Sequence, residues 1–235
     1  MAAADLLRRY EADALVREAH LNVHRYPESF PGLRVRLRAS DERGMAVGRA
    51  TLAPGAPARV ELHAGADMTW IGGELEAMTL PRWNRAYEDA DGRFDKDIDG
   101  VDGPLGRVVH LCDPALTTYW IENGHVSRAS RTAEAGRTST QVQEHAIAPD
   151  GGTVATHFVV VLQDDASGAT IATHVYRDAW VERWGVLVPA RRRVVSLTTR
   201  GSAARDLVIE HHELLGRRGV ADQAPLLRLA TDPGA

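Results

Sequence analysis

Short alternating segments separated by turn residues constrain this chain more than any other feature. "LRVRLRAS" (33–40) alternates apolar and basic residues with period two, which is typical of a strand with one buried face. A "DERG" turn (41–44) leads to a second such segment at 45–53, and a third follows at 58–65. From residue 105 onward, turn signals predict five or six further strands. These turns lie at 122–124, 149–152, 164–168, 181–185 and 200–203.

A helix is predicted ahead of the strands, over residues 4–24. Val16, Ala19, His20 and Val23 share one face at i, i+3, i+4, i+7 spacing. Pro27 ends the helix, because the residue before a proline is pushed out of the α region. A second, shorter helical region is expected near 71–88, interrupted at Pro81.

These elements predict an α+β, mainly β fold. We expect a single curved antiparallel sheet (a half-barrel) whose concave face is covered by the N-terminal helix. The chain is interpreted as one domain, 1–235, with an antiparallel meander over 33–216 and a tail at 217–235. A curved sheet beneath a helix encloses a cavity of the kind that holds small molecules.

Composition excludes several classes of protein. A net charge of −4 and a pI of about 6.2 argue against nucleic-acid binding. The sequence shows no signal peptide and no apolar run long enough to cross a membrane, so a cytoplasmic protein with no membrane partner is predicted. No P-loop or strand-linked G-x-G-x-x-G occurs, so no nucleotide cofactor is expected. The oligomeric state is left open.

Three charged features have simple structural interpretations. The run Arg191–Arg193 is interpreted as the solvated start of a strand. The carboxylates Asp113 and Asp178 follow strand-like segments and are interpreted as turn caps.

The sharpest functional hypothesis is a metal site at His20 and His24, four apart on the predicted helix. Imidazoles at i and i+4 lie about 5–6 Å apart, close enough to share an ion. The simpler alternative is a hydrogen-bonded core His20 and a surface His24. The pair lacks the glutamate of an H-E-x-x-H motif.

A metal site needs further ligands, and two sets are available. His110 and Cys112 lie two apart on one strand and therefore share a face. Together with the helix pair they would suit copper, zinc or iron. His157 and His174 flank the turn at 164–168 and could face each other across strands, unless a bulge changes the register.

The predicted cavity lining comprises Trp70, Trp83, Tyr119 and Trp120. Plain core packing is the alternative for each. The main functional hypothesis is a metal-dependent enzyme acting on a small organic substrate. The alternatives are a metal-free binding or carrier protein for an apolar ligand and, more weakly, a metal-free isomerase or cyclase.

Several segments resemble one uncharacterised bacterial and plastid family, domain of unknown function 3386. They include "REAHLNVHRYPESFPGL" (17–33), "LGRVVHLCDPALTTYWIENGHVSRASR" (105–131) and "LQDDASGATIATHVYRDAW" (162–180). The resemblance implies a β-rich single domain of LolA-like architecture and no particular reaction. It is specific at Arg131, which joins the predicted substrate-binding residues. Family members often carry tyrosines where His20 and His24 stand, so the resemblance implies no metal.

Overall fold

The computed structural model describes residues 3–63, 68–100, 103–134 and 136–216. It contains two α-helices, α1 (Ala3–Leu21) and α2 (Trp70–Thr79), and two short 3₁₀ turns, Leu80–Arg82 and Asp91–Arg93. The strands are β1 (Leu33–Asp41), β2 (Gly44–Leu52), β3 (Arg59–Leu62), β4 (Lys96–Ile98), β5 (Arg107–Leu111), β6 (Thr118–Glu122), β7 (His125–Ala133), β8 (Gly136–Ile147), β9 (Thr153–Gln163), β10 (Thr170–Arg183), β11 (Val186–Thr198) and β12 (Gly201–Leu214).

All twelve strands form one antiparallel sheet in the order β3-β2-β1-β12-β11-β10-β9-β8-β7-β6-β5-β4. The predicted fold class, a single curved antiparallel sheet with an N-terminal helix, is therefore confirmed. The strand count was too low, since eight strands rather than five or six follow residue 105. The connectivity also departs from a simple meander, because β1 pairs with the last strand, β12. The predicted tail, 217–235, lies outside the described residues.

The predicted turns at 41–44, 122–124, 149–152, 164–168 and 181–185 are confirmed, and two of them show why the strands reverse where they do. The turn predicted at 200–203 lies earlier, between Thr198 and Gly201, because β12 begins at Gly201. Asn123 and Gly124 have φ values of 51° and 72°, and Trp184 and Gly185 have values of 52° and 76°. Two-residue turns with positive φ match the right-handed twist of the strands that they join. Each of these pairs therefore fixes the register of a hairpin.

The two larger hydrophobic cores lie on the concave face, one at each end of the sheet, and a smaller buried cluster comprises Ala148, Val154 and Leu187. The α1 core lies between α1 and β4–β7, and the α2 core lies between α2 and the strands around β1. Buried members of the α1 core are Ala12, Val16, Ala19, Tyr87, Ile98, Val109, Leu111, Tyr119 and Ile121. The α2 core includes Tyr26, Leu33, Val35, Leu37, Ile71, Leu75, Met78, Val188, Leu207 and Ile209.

The N-terminal helix covers less of the concave face than the sequence suggested. It packs on β4, β6 and β7, whereas α2 packs on β3 and β11. It also ends at Leu21 rather than at residue 24. The chain has to leave the helix there, because residues 22–32 cross from the α1 end of the sheet to β1 at the other end.

A buried cation holds α1 in place. Lys96, the chain's single lysine, is only 5% exposed, and its Nζ donates to Asp13 Oδ1 of α1 at 3.0 Å. The Tyr87 hydroxyl donates to the same oxygen at 2.6 Å. Burial raises the pKa of Asp13, but these hydrogen bonds outweigh burial and lower it below its ordinary value.

Candidate functional site

The middle of the concave face forms an open strip that we call the central groove. Cross-strand register places Phe158 between Val142 and Tyr176, and Val160 between Thr140 and His174. Side chains on this face are fully buried where α1 or α2 lies over them, but here they are half-buried. The residues of the groove are Thr138, Thr140, Val142, Phe158, Val160, Leu162, His174 and Tyr176. Among the described elements, neither helix packs extensively on β8, β9 or β10.

One end of the central groove is closed by the chain that leaves α1. Val23 forms a parallel bridge with Thr153 at the start of β9, and the His24 amide donates to the Thr153 carbonyl at 3.0 Å. The Thr153 amide donates in turn to the Asn22 carbonyl at 2.8 Å. Residues 22–26 therefore form a fixed wall at this end of the groove.

His24 joins that wall to the turn at Asp150 and to the start of β11. It is 1% exposed. Its Nδ1 lies 2.8 Å from Asp150 Oδ2, and its Nε2 accepts the Leu187 amide at 3.1 Å. Since the backbone amide must donate to Nε2, the proton resides on Nδ1 and the ring is neutral. His24 thus acts as a structural crosslink.

A cavity of about 160 Å³ lies at this closed end, beneath the end of α2. Its lining is mainly apolar, with three charged side chains. The lining residues are Ala77, Met78, Pro81, Arg82, Thr140, Val142, Ala155, Phe158, Asp178, Trp180 and Arg192. Its volume is below the roughly 300–1,000 Å³ of pockets that enclose a drug-sized ligand.

Arg192 forms ion pairs with two carboxylates and thereby joins α2 to the sheet. Nε and Nη2 donate to the two oxygens of Asp178 at 2.8 and 2.6 Å, and Nη1 donates to Glu74 Oε2 of α2 at 3.1 Å. Arg192 and Asp178 are 3% and 8% exposed. Burial lowers the pKa of Arg192, but the two carboxylates outweigh burial and raise it.

Two predictions are therefore wrong. Arg192 is a buried ion-pair partner rather than part of a solvated run, although Arg191 and Arg193 are exposed. Period-two alternation turns the middle arginine toward the core. Asp178 is its partner rather than a turn cap, whereas Asp113 does cap a turn, accepting the Thr117 amide at 2.7 Å.

Arg82 is the other cation of this cavity, and it is paired differently. Its Nη1 donates to the carbonyls of His24 and Thr153 at 3.1 and 3.3 Å. Its Nε is buried without a hydrogen-bond partner. Among the described residues, no carboxylate lies within ion-pair distance of Arg82. Burial lowers its pKa to about 10, so the guanidinium remains charged at neutral pH.

The structure does not assemble the predicted metal site. His20 Nε2 lies 3.0 Å from the Arg85 carbonyl, and Arg25 Nη2 donates to His20 Nδ1 at 3.2 Å. Both nitrogens of His20 and both of His24 are therefore engaged within the protein. Over the described ranges, no group of three or more His, Cys, Asp or Glu side chains could hold a metal ion.

The other predicted ligands are dispersed. His110 pairs with Asp97 and Thr118, which places it on the convex face, opposite α1. Cys112 is exposed just beyond the end of β5. His157 pairs with Arg177, whereas His174 pairs with Val160, so the two histidines point to opposite faces. A bulge in the β9–β10 pairing produces this register, and the predicted His157–His174 contact is wrong.

The predicted substrate-binding residues likewise do not share one cavity. Trp70 and Trp83 pack against the α2 core. Tyr119 is buried in the α1 core, where its hydroxyl accepts Arg131 Nη2 at 2.8 Å. Trp120 lies on the convex face, with the Arg128 guanidinium 4.7 Å from its ring centroid.

Trp120 lines a second concavity of about 550 Å³ on the convex face. His110 also lines it, with Nδ1 3.1 Å from Thr118 Oγ1 and Nε2 3.3 Å from Asp99 Oδ1. His110 and Asp99 are about half exposed. Hydrogen bonds between exposed neighbouring side chains are ordinary on a sheet surface.

Sequence reasoning missed Phe158 of the groove, and Trp180 and Arg82 of the cavity at its closed end. Phe158 lies in a strongly apolar segment in which a period-two pattern is weak, so neither face stood out. Arg82 follows Pro81 in a segment expected to be helical, and only tertiary contacts reveal that its Nε is buried. A pairing of β9 with β10 through the turn at 164–168 would have placed Phe158 opposite Tyr176, which the structure confirms.

Comparison with known proteins gives one family match and remote similarities to solved structures. The family model described as "Protein of unknown function (DUF3386)" matches residues 7–215. No curated protein matches the chain. None of the described helices is long and apolar enough to span a membrane.

Two solved structures are similar at low identity. A DUF1329 family protein from Desulfovibrio piger is 10% identical, with a TM-score of 0.42 over 90% of this chain and 95% of that one. A domain described as an outer membrane lipoprotein-sorting protein domain from Vibrio parahaemolyticus is 9% identical, with a TM-score of 0.37 over the same shares. Similarity this remote does not extend to function.

Proposed function

Because this chain belongs to the DUF3386 family of proteins of unknown function, its activity has to be inferred from its own geometry, and we propose that it binds or carries a small apolar molecule in the central groove. The observation that supports this most directly is the half-buried apolar row of β9, namely Phe158, Val160 and Leu162. The same face is fully buried at both ends of the sheet.

Covering this row would be favourable. Burial of apolar surface yields about 25 cal/mol per Å², and Phe158, Val160 and Leu162 all retain exposed surface. They lie at alternate positions of one strand and thus span roughly 13 Å along it. An elongated apolar ligand lying along β9 would contact all three.

The rest of the groove suits binding without covalent chemistry. The network of Arg192 with Asp178 and Glu74, at the closed end of the groove, is internally satisfied. His174 Nδ1 lies 2.8 Å from Ser196 Oγ. Burial lowers the pKa of His174, which favours its neutral form. Shape and apolar contact therefore hold a ligand along this part of the groove.

A pair of variants on one strand tests this proposal. Val160→Asp places a carboxylate in the groove, whereas Val161→Asp places the same group on the convex face, since Val161 pairs with Ser139 and Thr173. Dodecanol binding is measured by calorimetry and through the tryptophan fluorescence of the protein. We expect Val160→Asp to weaken binding by about tenfold or more, because a buried charge is costly.

Val161→Asp is expected to bind as the unmodified protein does, and unfolding midpoints establish that both variants are folded. Equal binding by the two variants, or no binding of dodecanol by the unmodified protein, would falsify the assignment of the ligand to the groove.

A further inference from the structure

From the pairing of Arg82 we infer that the ligand is an amphiphile with an anionic head group, a long-chain carboxylate, whose head contacts Arg82 at the closed end of the central groove. This inference rests on the proposed binding function and names the ligand class for the same site.

The first argument is that Arg82, unlike Arg192, has no carboxylate within hydrogen-bond distance among the described residues, since Asp178 acts on it only at longer range. A buried cation ordinarily has a carboxylate partner, because removal of a charge from water costs several kcal/mol or more. Arg192, in the same cavity, has two such partners. Arg82 has two backbone carbonyls and a buried Nε without a partner.

The second argument is the geometry of the donors. A guanidinium presents its N–H groups as a planar fork that matches the two oxygens of a carboxylate. Nη1 of Arg82 is fixed by two carbonyls, that of His24 in the wall and that of Thr153, to which the wall is hydrogen-bonded. The fork is therefore held in place before any ligand arrives, which lowers the entropic cost of binding.

The third argument is the apolar surroundings of the fork. Met78, Val142, Phe158 and Trp180 line the same cavity, and the Trp180 ring centroid lies 6.0 Å from the guanidinium carbon. From Phe158 the groove continues through Val160 to Leu162. A head group at Arg82 therefore directs a hydrocarbon tail along β9, and a ligand without a tail would leave that surface uncovered.

The test compares dodecanoate with dodecanol, which share a chain length and differ in the head group. On the unmodified protein, calorimetry at neutral pH should show dodecanoate binding about tenfold or more tightly, since hydrogen bonds to charged groups contribute about 1.5–3 kcal/mol. Equal affinity for the two ligands would overturn the inference while leaving the groove proposal intact. Failure of both to bind would instead refute the proposed function.

Two variants assign the preference to Arg82. Arg82→Met should bring dodecanoate to the affinity of dodecanol, and Arg82→Lys should retain part of the preference because the charge remains. Arg85→Met, at an exposed position three residues further on, serves as the matched control and should retain the full preference. If Arg82→Met retains the preference for dodecanoate, the head group does not lie at Arg82.

Should Arg82→Met fail to fold, the comparison of the two ligands on the unmodified protein still decides the inference. Arg82→Lys supplies the residue assignment in that case, since a lysine can still donate to the His24 and Thr153 carbonyls.

Discussion

The covered ends of the sheet and its open centre are built from the same alternating strands, yet they behave differently. At each end a helix lies on the concave face, and a buried cation ties that helix down: Lys96 holds Asp13 of α1, and Arg192 holds Glu74 of α2. In the centre the concave face has half-buried side chains and an arginine without a carboxylate partner, Arg82.

The contrast shows that strand pattern alone does not determine the role of a face. A row of apolar side chains becomes core where a helix lies over it, and it remains available for a ligand where no helix does. In this molecule the ends supply rigidity and the centre supplies the candidate binding surface.

The largest expected loss in the free energy of unfolding comes from Asp178→Ala, because Asp178 pairs with the arginine that joins α2 to the sheet. Asp178→Ala would leave Arg192 buried and half-paired, and the loss of one partner of a buried pair costs about 3–5 kcal/mol. The free energy of unfolding is measured by chemical denaturation. Asp206→Ala removes the partner of the exposed Arg191 on neighbouring strands and should cost about 0–1 kcal/mol. Similar losses of unfolding free energy in the two variants would show that the buried ion pair contributes no more to stability than the exposed one.

A matched pair of leucines sharpens the comparison between end and centre. Leu75 of α2 is fully buried, whereas Leu162 lies half-buried in the groove. We expect Leu75→Ala to destabilise the fold by about 2–5 kcal/mol and Leu162→Ala by about 1 kcal/mol or less. Denaturant midpoints distinguish the two. A large loss at Leu162 would mean that the centre is packed as tightly as the ends.

Acidification should lower the free energy of unfolding by less than the substitutions at Asp178 and Leu75 do. Burial lowers the pKa of His20, His145, His174 and His212 below the ordinary value of 6.5. The unfolded chain therefore binds protons at these sites more readily than the folded protein does. Their contribution to stability is fully present above pH 6.5 and is lost as the pH falls through that value.

His174 is the member of this set that lies in the groove. Unfolding at pH 7.5 and 5.5 should show less stability at the lower pH, and His174→Gln should reduce the difference. Glu74 and Arg205 act on His174 in opposite directions, so the variant isolates burial as the main cause. An unchanged pH dependence in His174→Gln would place the effect at the other three histidines.

Local rules were sufficient to predict much of this architecture. Period-two alternation located β1 and β2, and glycine-containing turns located the hairpins, because both depend on residues close in sequence. The extent of α1 was overestimated because the segment at His24 leaves the helix to form contacts with Asp150 and Leu187, more than 120 positions away. Periodicity carries no information about such contacts.

The candidate site was harder to predict for the same reason. The histidine pair drew attention because its spacing suits a shared ion, but Arg25 and the Arg85 carbonyl occupy the nitrogens of His20. Arg82 gave no signal in the sequence. Its importance lies in the absence of a carboxylate partner, which only the positions of the neighbouring strands reveal.

The pairing of β1 with β12 has a consequence for how the chain acquires its structure during synthesis. Arg38 and Glu210 form an ion pair across these strands and are 172 positions apart. Therefore β1 cannot pair with β12 until nearly the whole described chain has been translated. Until then β1 and β11 each present an open edge that can pair with another nascent chain. Folding should therefore be slow and limited by this late closure, and premature termination within β12 would yield an aggregation-prone product.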